Sequence, residues 1–353
     1  MHPFIYTQSA TTFPTRLPQL LLVFGEKMAD VSIIGAGVVG LCVANELLAR
    51  NAKVSIYDKK REAGPHACSW WAGGMLAPFC ESESAEEEVC RFGQEAAAWW
   101  SKRTNVINKG SLVVASSRDG ADFNRFKRLT SNHELVSGES IANLEPDLSD
   151  KFSRALFFEN EAHIDPRIAL RDLTNQLRQA GVEISTAEPP KDSTKRIDCR
   201  GLAAKDILHD LRGVKGEMLV IRTNDVNFQR PIRLLHPRLP LYIVPRGNGV
   251  FMLGATTIES EDRKNVSVRS MLELLSAAYA LSPSFGEAEV LEIGVDLRPA
   301  FKDNLPKIRK IDDVIYANGL YRHGYLLAPA VAKQVADLLL DDTAGEFVDE
   351  NYH

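Results

Sequence analysis

The residues with the clearest chemical meaning are three glycines, Gly35-x-Gly37-x-x-Gly40, which follow a short apolar run and precede a helical pattern. In a nucleotide-binding βαβ unit the first glycine allows a tight turn. The second lets the backbone approach a pyrophosphate, and the third lets the helix pack on the strand. Asp58 comes 18 residues after Gly40, near the spacing expected for a carboxylate that binds ribose. These residues predict a dinucleotide site, and by themselves they leave NAD and FAD both open.

Three further side chains could contact a small anionic substrate. Arg298 stands beside Pro299 at the end of a strand pattern, and its planar fork suits a carboxylate, although a surface ion pair would use it equally well. Tyr242 is either a ligand contact or a half-buried aromatic residue of a strand. Arg322 lies in a loop between Gly319 and Gly324, where a close cofactor contact and an ordinary glycine-rich turn are alternatives.

The elements around the glycines follow from hydrophobic periodicity. Strands are predicted over 30–34 and 53–57, with a helix between them whose apolar residues fall on one face and which stops near Asn51. A strand, a helix and a second strand in this order require a parallel pair. Strands over 182–185, 196–199 and 314–317 are predicted to join the same sheet.

The remaining segments predict a mixture of helices and hairpins. One helix is expected over 83–103, one is capped by Asp165 and closed by Gly181, one is capped by Ser267, and a terminal helix over 328–340 carries Pro329 in its first turn. Residues 247–249 (GNG) predict a hairpin turn between two strands. The predicted fold class is therefore α/β (α+β), a Rossmann-like cofactor domain with a parallel sheet and an inserted antiparallel substrate domain.

Composition excludes several other functions. The 353 residues carry 42 Lys and Arg against 47 Asp and Glu, a formal charge of −5, which argues against nucleic acid as a partner. Five cysteines without a C-x-x-C pair predict neither a zinc site nor a disulfide framework, and they fit a reducing cytoplasm. No segment predicts a membrane span, and the motifs of serine hydrolases, zinc proteases and P-loop enzymes are missing.

Residues 1–27 differ in character from the rest of the chain. They show little periodicity beyond a short apolar run at 19–24, and they lack the features of a signal peptide. We interpret them as a loosely held leader or as a start site placed too early, with Met28 as the alternative start.

Four segments together carry a family resemblance. They occur in the order residues 69–78 (SWWAGGMLAP), residues 244–246 (VPR), residues 297–299 (LRP) and residues 319–329 (GLYRHGYLLAP). In these segments the chain, from about residue 30 to 340, resembles the D-amino-acid oxidase family of FAD enzymes, and within it the glycine oxidases of thiamine synthesis. The family uses FAD, so the resemblance decides between the two cofactors that the glycines leave open.

The resemblance implies oxidation of glycine, or of another small amine or D-amino acid, by hydride transfer from the substrate Cα to flavin N5, with O2 reoxidising the flavin to give H2O2. The imine product would serve thiamine thiazole synthesis. By the same resemblance Arg298 and Tyr242 bind the substrate carboxylate, and Arg322 lies at the substrate pocket. The FAD would be noncovalent, since no cysteine follows Cys199, and the protein is expected to form homo-oligomers as its relatives do.

The residues predicted to bind FAD come from the glycine motif, the family segments and the neighbouring loops. They are Gly35, Gly37, Val38, Val39, Gly40, Asp58, Lys59, Ser69, Gly73, Gly74, Met75, Gly201, Gly319, Arg322, His323, Gly324, Tyr325 and Leu326. The FAD-binding domain is predicted to be discontinuous, over 28–80, 150–213 and 290–353, and the substrate-binding domain to cover 81–149 and 214–289.

Three positions depart from the family pattern and leave the substrate open. They are Leu320 and His323 in the C-terminal loop and Asp296, two residues before Arg298. Two alternatives therefore stand beside glycine oxidation. One is a D-amino-acid or sarcosine dehydrogenase that uses another electron acceptor, and the other is a noncatalytic dinucleotide-binding protein.

Overall fold

A computed structural model describes residues 30–190, 195–236 and 241–350 of the chain. The predicted leader, residues 1–27, lies outside these ranges. The described residues contain sixteen strands: β1 Asp30–Ile34, β2 Lys53–Tyr57, β3 Met75–Leu76, β4 Ser111–Ala115, β5 Glu134–Ser137, β6 Arg154–Phe158, β7 Ala162–His163, β8 Ile184–Ser185, β9 Lys195–Asp198, β10 Arg212–Arg222, β11 Ile232–Leu235, β12 Leu241–Gly247, β13 Val250–Gly254, β14 Glu289–Ala300, β15 Lys307–Ile311 and β16 Val314–Asn318.

The same ranges contain nine α-helices: α1 Val38–Ala49, α2 Pro78–Glu81, α3 Glu87–Gly93, α4 Ala96–Ser101, α5 Gly120–Leu129, α6 Glu139–Leu144, α7 Pro166–Gln179, α8 Val268–Leu281 and α9 Gly324–Asp341. Short 3₁₀ turns connect several of them, including Cys68–Trp71 and Gly201–Asp206.

A six-stranded sheet with the order β15-β16-β9-β1-β2-β8 forms one half of the molecule. Its pairs are parallel except at the β15–β16 edge. Helices α1, α7 and α9 pack on it in one apolar cluster that includes Ile33, Leu41, Leu173 and Val331. This confirms the predicted βαβ unit and the return of the later strands to the parallel sheet.

Helix ends in this half follow local chemistry. Asn51 adopts a left-handed φ of 61°, which ends the α1 turn before β2. The Asp165 carboxylate accepts hydrogen bonds from the N–H groups of Arg167 and Ile168, at 2.8 and 3.3 Å, and Gly181 takes a φ of 79° after α7. Both ends of the predicted α7 helix are confirmed, because a side-chain cap and a left-handed residue satisfy groups that the helix leaves unpaired.

An eight-stranded sheet with the order β14-β10-β13-β12-β11-β4-β6-β5 forms the other half. It is antiparallel except between β11 and β4. The β12–β13 hairpin turns through Gly247, Asn248 and Gly249, all with positive φ, as predicted. Helix α8 packs on this sheet and is capped by Ser267, whose hydroxyl accepts the N–H of Ser270 at 3.1 Å.

Two predicted helices have other bounds. The segment 83–103 forms α3 and α4 instead of one helix. Gly93, at the end of α3, contacts Leu326 of α9 so closely that a Cβ there would lie 2.8 Å from Leu326 Cγ. The chain turns at this contact, where a glycine weakens helix continuation.

The terminal helix begins at Gly324, four residues before its predicted start, so Pro329 lies inside it. A proline at this position removes the N–H that would bond to the Tyr325 carbonyl. The indole N–H of Trp100, on α4, donates to that carbonyl at 2.8 Å. The helix can therefore continue through Pro329, because Trp100 replaces the missing hydrogen-bond donor. The residues near Pro329 in the sequence do not reveal this donor.

The predicted division into domains remains a prediction, and sheet membership bears on its boundaries. Two segments assigned to the FAD-binding domain, β6 and β14, lie in the eight-stranded sheet. We propose that the boundaries shift so that both strands belong to the substrate-binding part. No helix of the described ranges is long and apolar enough to span a membrane.

Candidate cofactor and substrate site

A cavity of about 930 Å³ lies where the two sheets meet. One end is lined by Ile34, Tyr57 and Asp198, at the carboxyl ends of three parallel strands. The other end is lined by Tyr242 and Arg298 of the eight-stranded sheet. In open α/β sheets, ligands bind outside the carboxyl ends of the strands, so both sheets contribute to one site.

The glycine motif shapes the first end of the cavity. Gly35 has a φ of +102°, and a Cβ on it would lie 2.6 Å from the Cys199 carbonyl oxygen. A Cβ on Gly40 would lie 1.9 Å from the Gly35 carbonyl oxygen. Gly40 is therefore needed for the contact between α1 and β1 and does not itself line the cavity, as expected for the third glycine of the motif.

The N-terminus of α1 faces this end. The Val38 N–H donates to the Ser69 hydroxyl at 3.0 Å, and a Cβ on Gly37 would lie in contact with that hydroxyl, at 3.4 Å. A helix N-terminus with a hydroxyl across it is a suitable place for a phosphate group.

Asp58, directly after β2, is hydrogen-bonded to the turn that follows β1. Its carboxylate accepts the Ala36 N–H at 2.7 Å and the Lys60 N–H at 3.1 Å. Each oxygen of a carboxylate can accept more than one hydrogen bond. Asp58 is thus fixed in place and can still accept hydrogen bonds from a ribose hydroxyl.

The segment 69–77 forms the middle of the wall, and Arg246 holds it. The partly buried Arg246 guanidinium donates to the carbonyl oxygens of Ile164, Ala72 and Gly73 at 2.8, 3.0 and 2.9 Å. A Cβ on Gly74, where φ is +74°, would lie 2.3 Å from the Ile164 oxygen. The loop passes here through a space that admits only backbone.

The N-terminus of α9 completes this part of the wall. Gly324, Tyr325 and Leu326 line the cavity, and their N–H groups belong to the first turn, where a helix offers no internal acceptor. The Tyr325 hydroxyl donates to the carbonyls of Ser69 and Pro166 at 3.0 and 3.2 Å, which ties the helix to the 69–77 segment. The helix dipole favours negative charge at this position.

Arg298 lies at the second end of the cavity, on β14. Its guanidinium lies against Gly216 of the neighbouring strand, where a Cβ would come within 2.4 Å of Nη2. It donates to the Thr256 carbonyl at 3.0 Å and, within the described residues, has no carboxylate partner. Most of its donors remain available for a ligand.

Tyr242 lies between the cofactor loop and the arginines. A Cβ on Gly73 would lie 2.9 Å from its ring, and one on Gly254 would lie 2.8 Å from it. Burial raises the pKa of the Tyr242 hydroxyl, while the positive charges of Arg298 and Arg322 oppose that rise. The hydroxyl is therefore protonated at neutral pH and able to donate a hydrogen bond.

Arg322 is bound to a carboxylate of the protein. It donates to Glu81 Oε2 at 2.6 Å, and His323 Nε2 lies 2.9 Å from the same oxygen. Arg233 approaches the other oxygen of Glu81 at 3.7 Å. Burial alone would raise the pKa of Glu81, but Arg322, His323 and Arg233 hold it well below its usual range.

The structure brings most of the predicted site residues together on the cavity wall. These are Gly35, Gly37, Val38, Val39, Asp58, Lys59, Ser69, Gly73, Gly74, Met75, Gly201, Tyr242, Arg298, Arg322, His323, Gly324, Tyr325 and Leu326. Gly40 and Gly319 are outside the wall. Gly319 has a φ of +83° and lies against the Phe301 ring, so it shapes the turn before α9. Binding roles for these residues remain predictions.

Sequence reasoning missed Arg246, Glu81 and Gly216. Arg246 stands in the VPR segment that carried the resemblance, but nothing local shows that it holds residues 72–73. Glu81 follows the SWWAGGMLAP segment by three residues, and its closeness to that segment could have marked it as a site residue. Gly216 could be identified only from its partner strand, because it is the residue against which Arg298 packs.

These observations fit a bound dinucleotide. The cavity offers a turn at Gly35 and Gly40 with no room for a side chain, two helix N-termini, and a fixed acidic residue, Asp58, on its wall. The wall near Tyr242 and α9 can accommodate a planar ring system, since glycines remove the side chains that would fill it.

Fold and cavity together indicate a dinucleotide-binding protein, and comparison with known protein families shows which class it belongs to. Residues 30–338 match the family model DAO, FAD dependent oxidoreductase. The chain belongs to this family and is an FAD-dependent enzyme.

Particular relatives narrow the comparison. A Rhizobium etli protein provisionally assigned to thiamine biosynthesis as the oxidoreductase ThiO is 48% identical over 317 residues, covering 88% of this chain and 97% of that protein. Glycine oxidase of Bacillus licheniformis is 24% identical over 89% of this chain and 94% of its own length. The crystal structure of glycine oxidase from Geobacillus kaustophilus superposes with a TM-score of 0.75 at 22% identity, covering 90% of this chain and 96% of that one.

Proposed function

We propose that this protein oxidises glycine, or a similarly small amino acid, as an FAD-dependent oxidase. The observation that carries the proposal is Arg298, a cavity arginine with no carboxylate partner in the described chain, adjacent to a wall that fits the cofactor. The similarity to glycine oxidases and to the Rhizobium etli ThiO protein supports this choice of substrate class.

The substrate carboxylate would bind to Arg298 through the planar fork of the guanidinium. The Thr256 carbonyl fixes one edge of that guanidinium and Gly216 supports its face, so little motion is needed on binding. The Tyr242 hydroxyl would donate a hydrogen bond to the same carboxylate. Two contacts to one carboxylate would fix its position and its plane, and would thereby limit where the substrate Cα can lie.

The residues that would hold FAD are those of the cavity wall. The α1 N-terminus and Ser69 would contact the pyrophosphate, and Asp58 the adenosine ribose. The N-terminus of α9 would offer its N–H groups to the flavin where negative charge develops. Bound FAD supplies two-electron oxidation of the substrate, after which O2 takes the electrons and is released as H2O2.

The product would be the imine of the amino acid. We propose that this imine is used in building the thiazole of thiamine, a role supported by the name of the Rhizobium etli relative. An imine hydrolyses readily in water, so the reaction that consumes it must follow soon after its release.

Purified protein titrated with glycine without oxygen tests the proposal. We expect the visible flavin absorbance to bleach, and expect O2 consumption with H2O2 formation once air is admitted. Bleaching without O2 consumption would show a dehydrogenase that needs another acceptor. Failure of glycine, sarcosine and D-alanine to bleach the flavin would show a noncatalytic protein. Acid precipitation should leave the flavin in the supernatant, since we propose that it is not covalently attached.

A further inference from the structure

Two of the arginines that line the cavity, Arg298 and Arg322, differ in their electrostatic surroundings. The charges of both reach the Tyr242 hydroxyl between them. Arg298 lacks a carboxylate partner within the described chain, whereas Arg322 donates to Glu81 at 2.6 Å and approaches Ser84 Oγ at 3.4 Å. One guanidinium is available to a ligand and the other is neutralised by the protein.

Glu81 is well placed to neutralise Arg322 under all ordinary conditions. Its side chain is 20% exposed, and His323 and Arg233 surround the same carboxylate. Arg322, His323 and Arg233 together hold the pKa of Glu81 well below its usual range against the effect of burial. The negative charge is therefore permanent at neutral pH.

A second carboxylate on a substrate would meet this negative charge. To reach Arg322 it would have to displace Glu81 or approach it closely, and both cost free energy because like charges repel in a partly desolvated site. A substrate with one carboxylate has no such conflict, since it needs only Arg298.

We infer that Glu81 is a specificity-determining residue that restricts the site to amino acids with one carboxylate by pairing with Arg322. This inference rests on the proposed function, because it assumes that Arg298 binds the substrate carboxylate. It goes beyond that function, since it names the residue that rejects amino dicarboxylates and the means by which it does so.

The variant Glu81→Gln tests it, with the FAD-loaded protein and two nonreacting ligands, glycolate and malonate. The Gln carbonyl can keep the contacts of Oε2 with Arg322 and His323, while the amide takes the place of Oε1, 3.7 Å from Arg233. Arg233 retains its approach to Glu83 at 3.5 Å. The charge is removed and the shape is preserved.

We expect the ratio of glycolate Kd to malonate Kd, measured by calorimetry, to rise about tenfold in Glu81→Gln. This rise corresponds to the lower end of the free energy contributed by one added hydrogen bond to a charged group. The kcat/KM for iminodiacetate relative to glycine should rise in the same direction. A defect of folding would instead weaken both ligands, so the ratio separates specificity from structure.

Two further variants complete the test. Glu83→Gln is the matched control, because Glu83 is on the same segment but pairs with Arg125 at 2.6 Å and Arg233 at 3.5 Å. In this variant the ratio of glycolate Kd to malonate Kd should stay within about twofold of the wild-type ratio, a smaller change than one hydrogen bond to a charged group would produce. In Glu81→Gln with Arg322→Gln, the gain in malonate affinity should disappear, because the cation that produces it is gone.

Several results would overturn the inference. One is an unchanged ligand ratio in Glu81→Gln with glycine turnover retained, which leaves the proposed function intact. Another is a malonate gain that persists without Arg322. If Glu81→Gln does not fold, the two ligands are compared on the wild-type protein alone. Malonate binding about tenfold tighter than glycolate would then overturn the inference, because it would show that Arg322 is available to a ligand even when Glu81 is present. Failure of wild-type protein to bind glycolate at all would overturn the role of Arg298 and the proposed function with it.

Discussion

The indole N–H of Trp100 donates a 2.8 Å hydrogen bond to the carbonyl oxygen of Tyr325, inside the terminal helix. That carbonyl has no helical partner, because the residue four positions later is Pro329. Trp100 is fully buried, so no solvent can replace the bond. The first turn of this helix lines the cofactor cavity, and one indole on a short helix therefore stabilises part of the site.

Trp100→Phe should lower the free energy of unfolding by about 1–3 kcal/mol, since it leaves a buried carbonyl unsatisfied. Urea unfolding measures the change. Trp99→Phe is the matched control, because the Trp99 indole donates only a partly buried 3.3 Å hydrogen bond to Glu46.

The double variant Trp100→Phe with Pro329→Ala tests the same contact. It should lose less free energy of unfolding than the sum of the two single variants, since an alanine in place of the proline restores the missing N–H. Equal losses for the two tryptophan variants would contradict this role.

Gly40→Ala should disrupt the first turn of the cofactor site. The added Cβ would lie 1.9 Å from the Gly35 carbonyl oxygen, so α1 must move away from β1. We expect a loss of at least about 2 kcal/mol in stability, as for other overpacked sites, together with weaker FAD binding. Thermal unfolding and the flavin content of purified protein measure both effects.

Gly120→Ala supplies the comparison for that prediction. Gly120 begins α5, and a Cβ there would meet only the end of the flexible Arg154 side chain, at 3.3 Å. Its stability should change by less than about 1 kcal/mol, with FAD content unaltered. If Gly40→Ala behaved the same way, the close contact would not be needed.

Arg298→Ala should raise the KM for glycine sharply and leave FAD bound. A guanidinium fork makes two charge-assisted hydrogen bonds to a carboxylate, so we expect kcat/KM to fall roughly a hundredfold or more. Arg212→Ala is the comparison, because Arg212 lies on the paired strand but outside the cavity wall and is bound to Glu259 and Asn304; it should leave KM unchanged. A normal KM in Arg298→Ala would remove this residue from the substrate site.

Glu161 should make the protein less stable as pH rises. Burial raises the pKa of Glu161 to about 7, from a usual value of 4.5, despite hydrogen bonds from Ser111 and the Cys80 N–H. The folded state therefore binds more protons than the unfolded state over this interval, and the free energy of unfolding falls by up to about 3 kcal/mol as pH rises through it. In Glu161→Gln this slope should be absent from urea unfolding measured between about pH 4.5 and 7.5.

His163 should act in the opposite direction. Burial, and then the charge of Arg246, lower the pKa of His163 from 6.5 to about 4. The unfolded state binds more protons between these values, so this residue removes stability as pH falls through them. His163→Gln should therefore lose less stability on acidification than the wild type. The wild-type protein shows only the sum of the effects of Glu161 and His163. If the free energy of unfolding changed equally with pH in Glu161→Gln and His163→Gln, both predicted pKa effects would be contradicted.

The elements that the sequence predicted are those whose signals are local. The Gly35 turn, the Asp165 and Ser267 caps and the 247–249 hairpin each depend on residues within a few positions of one another. The βαβ unit also followed from local periodicity, and the family resemblance, carried by short segments, indicated FAD as the cofactor. Sequence alone was sufficient for these because backbone conformation and capping are decided over a few residues.

Only the tertiary structure decided which charges of the cavity are paired within the protein. Glu81 and Arg322 are 241 positions apart, yet their pairing determines how many arginines of the cavity remain available. Arg246 could be read as a motif residue, but its three carbonyl partners lie more than eighty positions away. The helix through Pro329 likewise required Trp100. Pairing of this kind depends on how distant segments pack, and neither periodicity nor spacing contains that information.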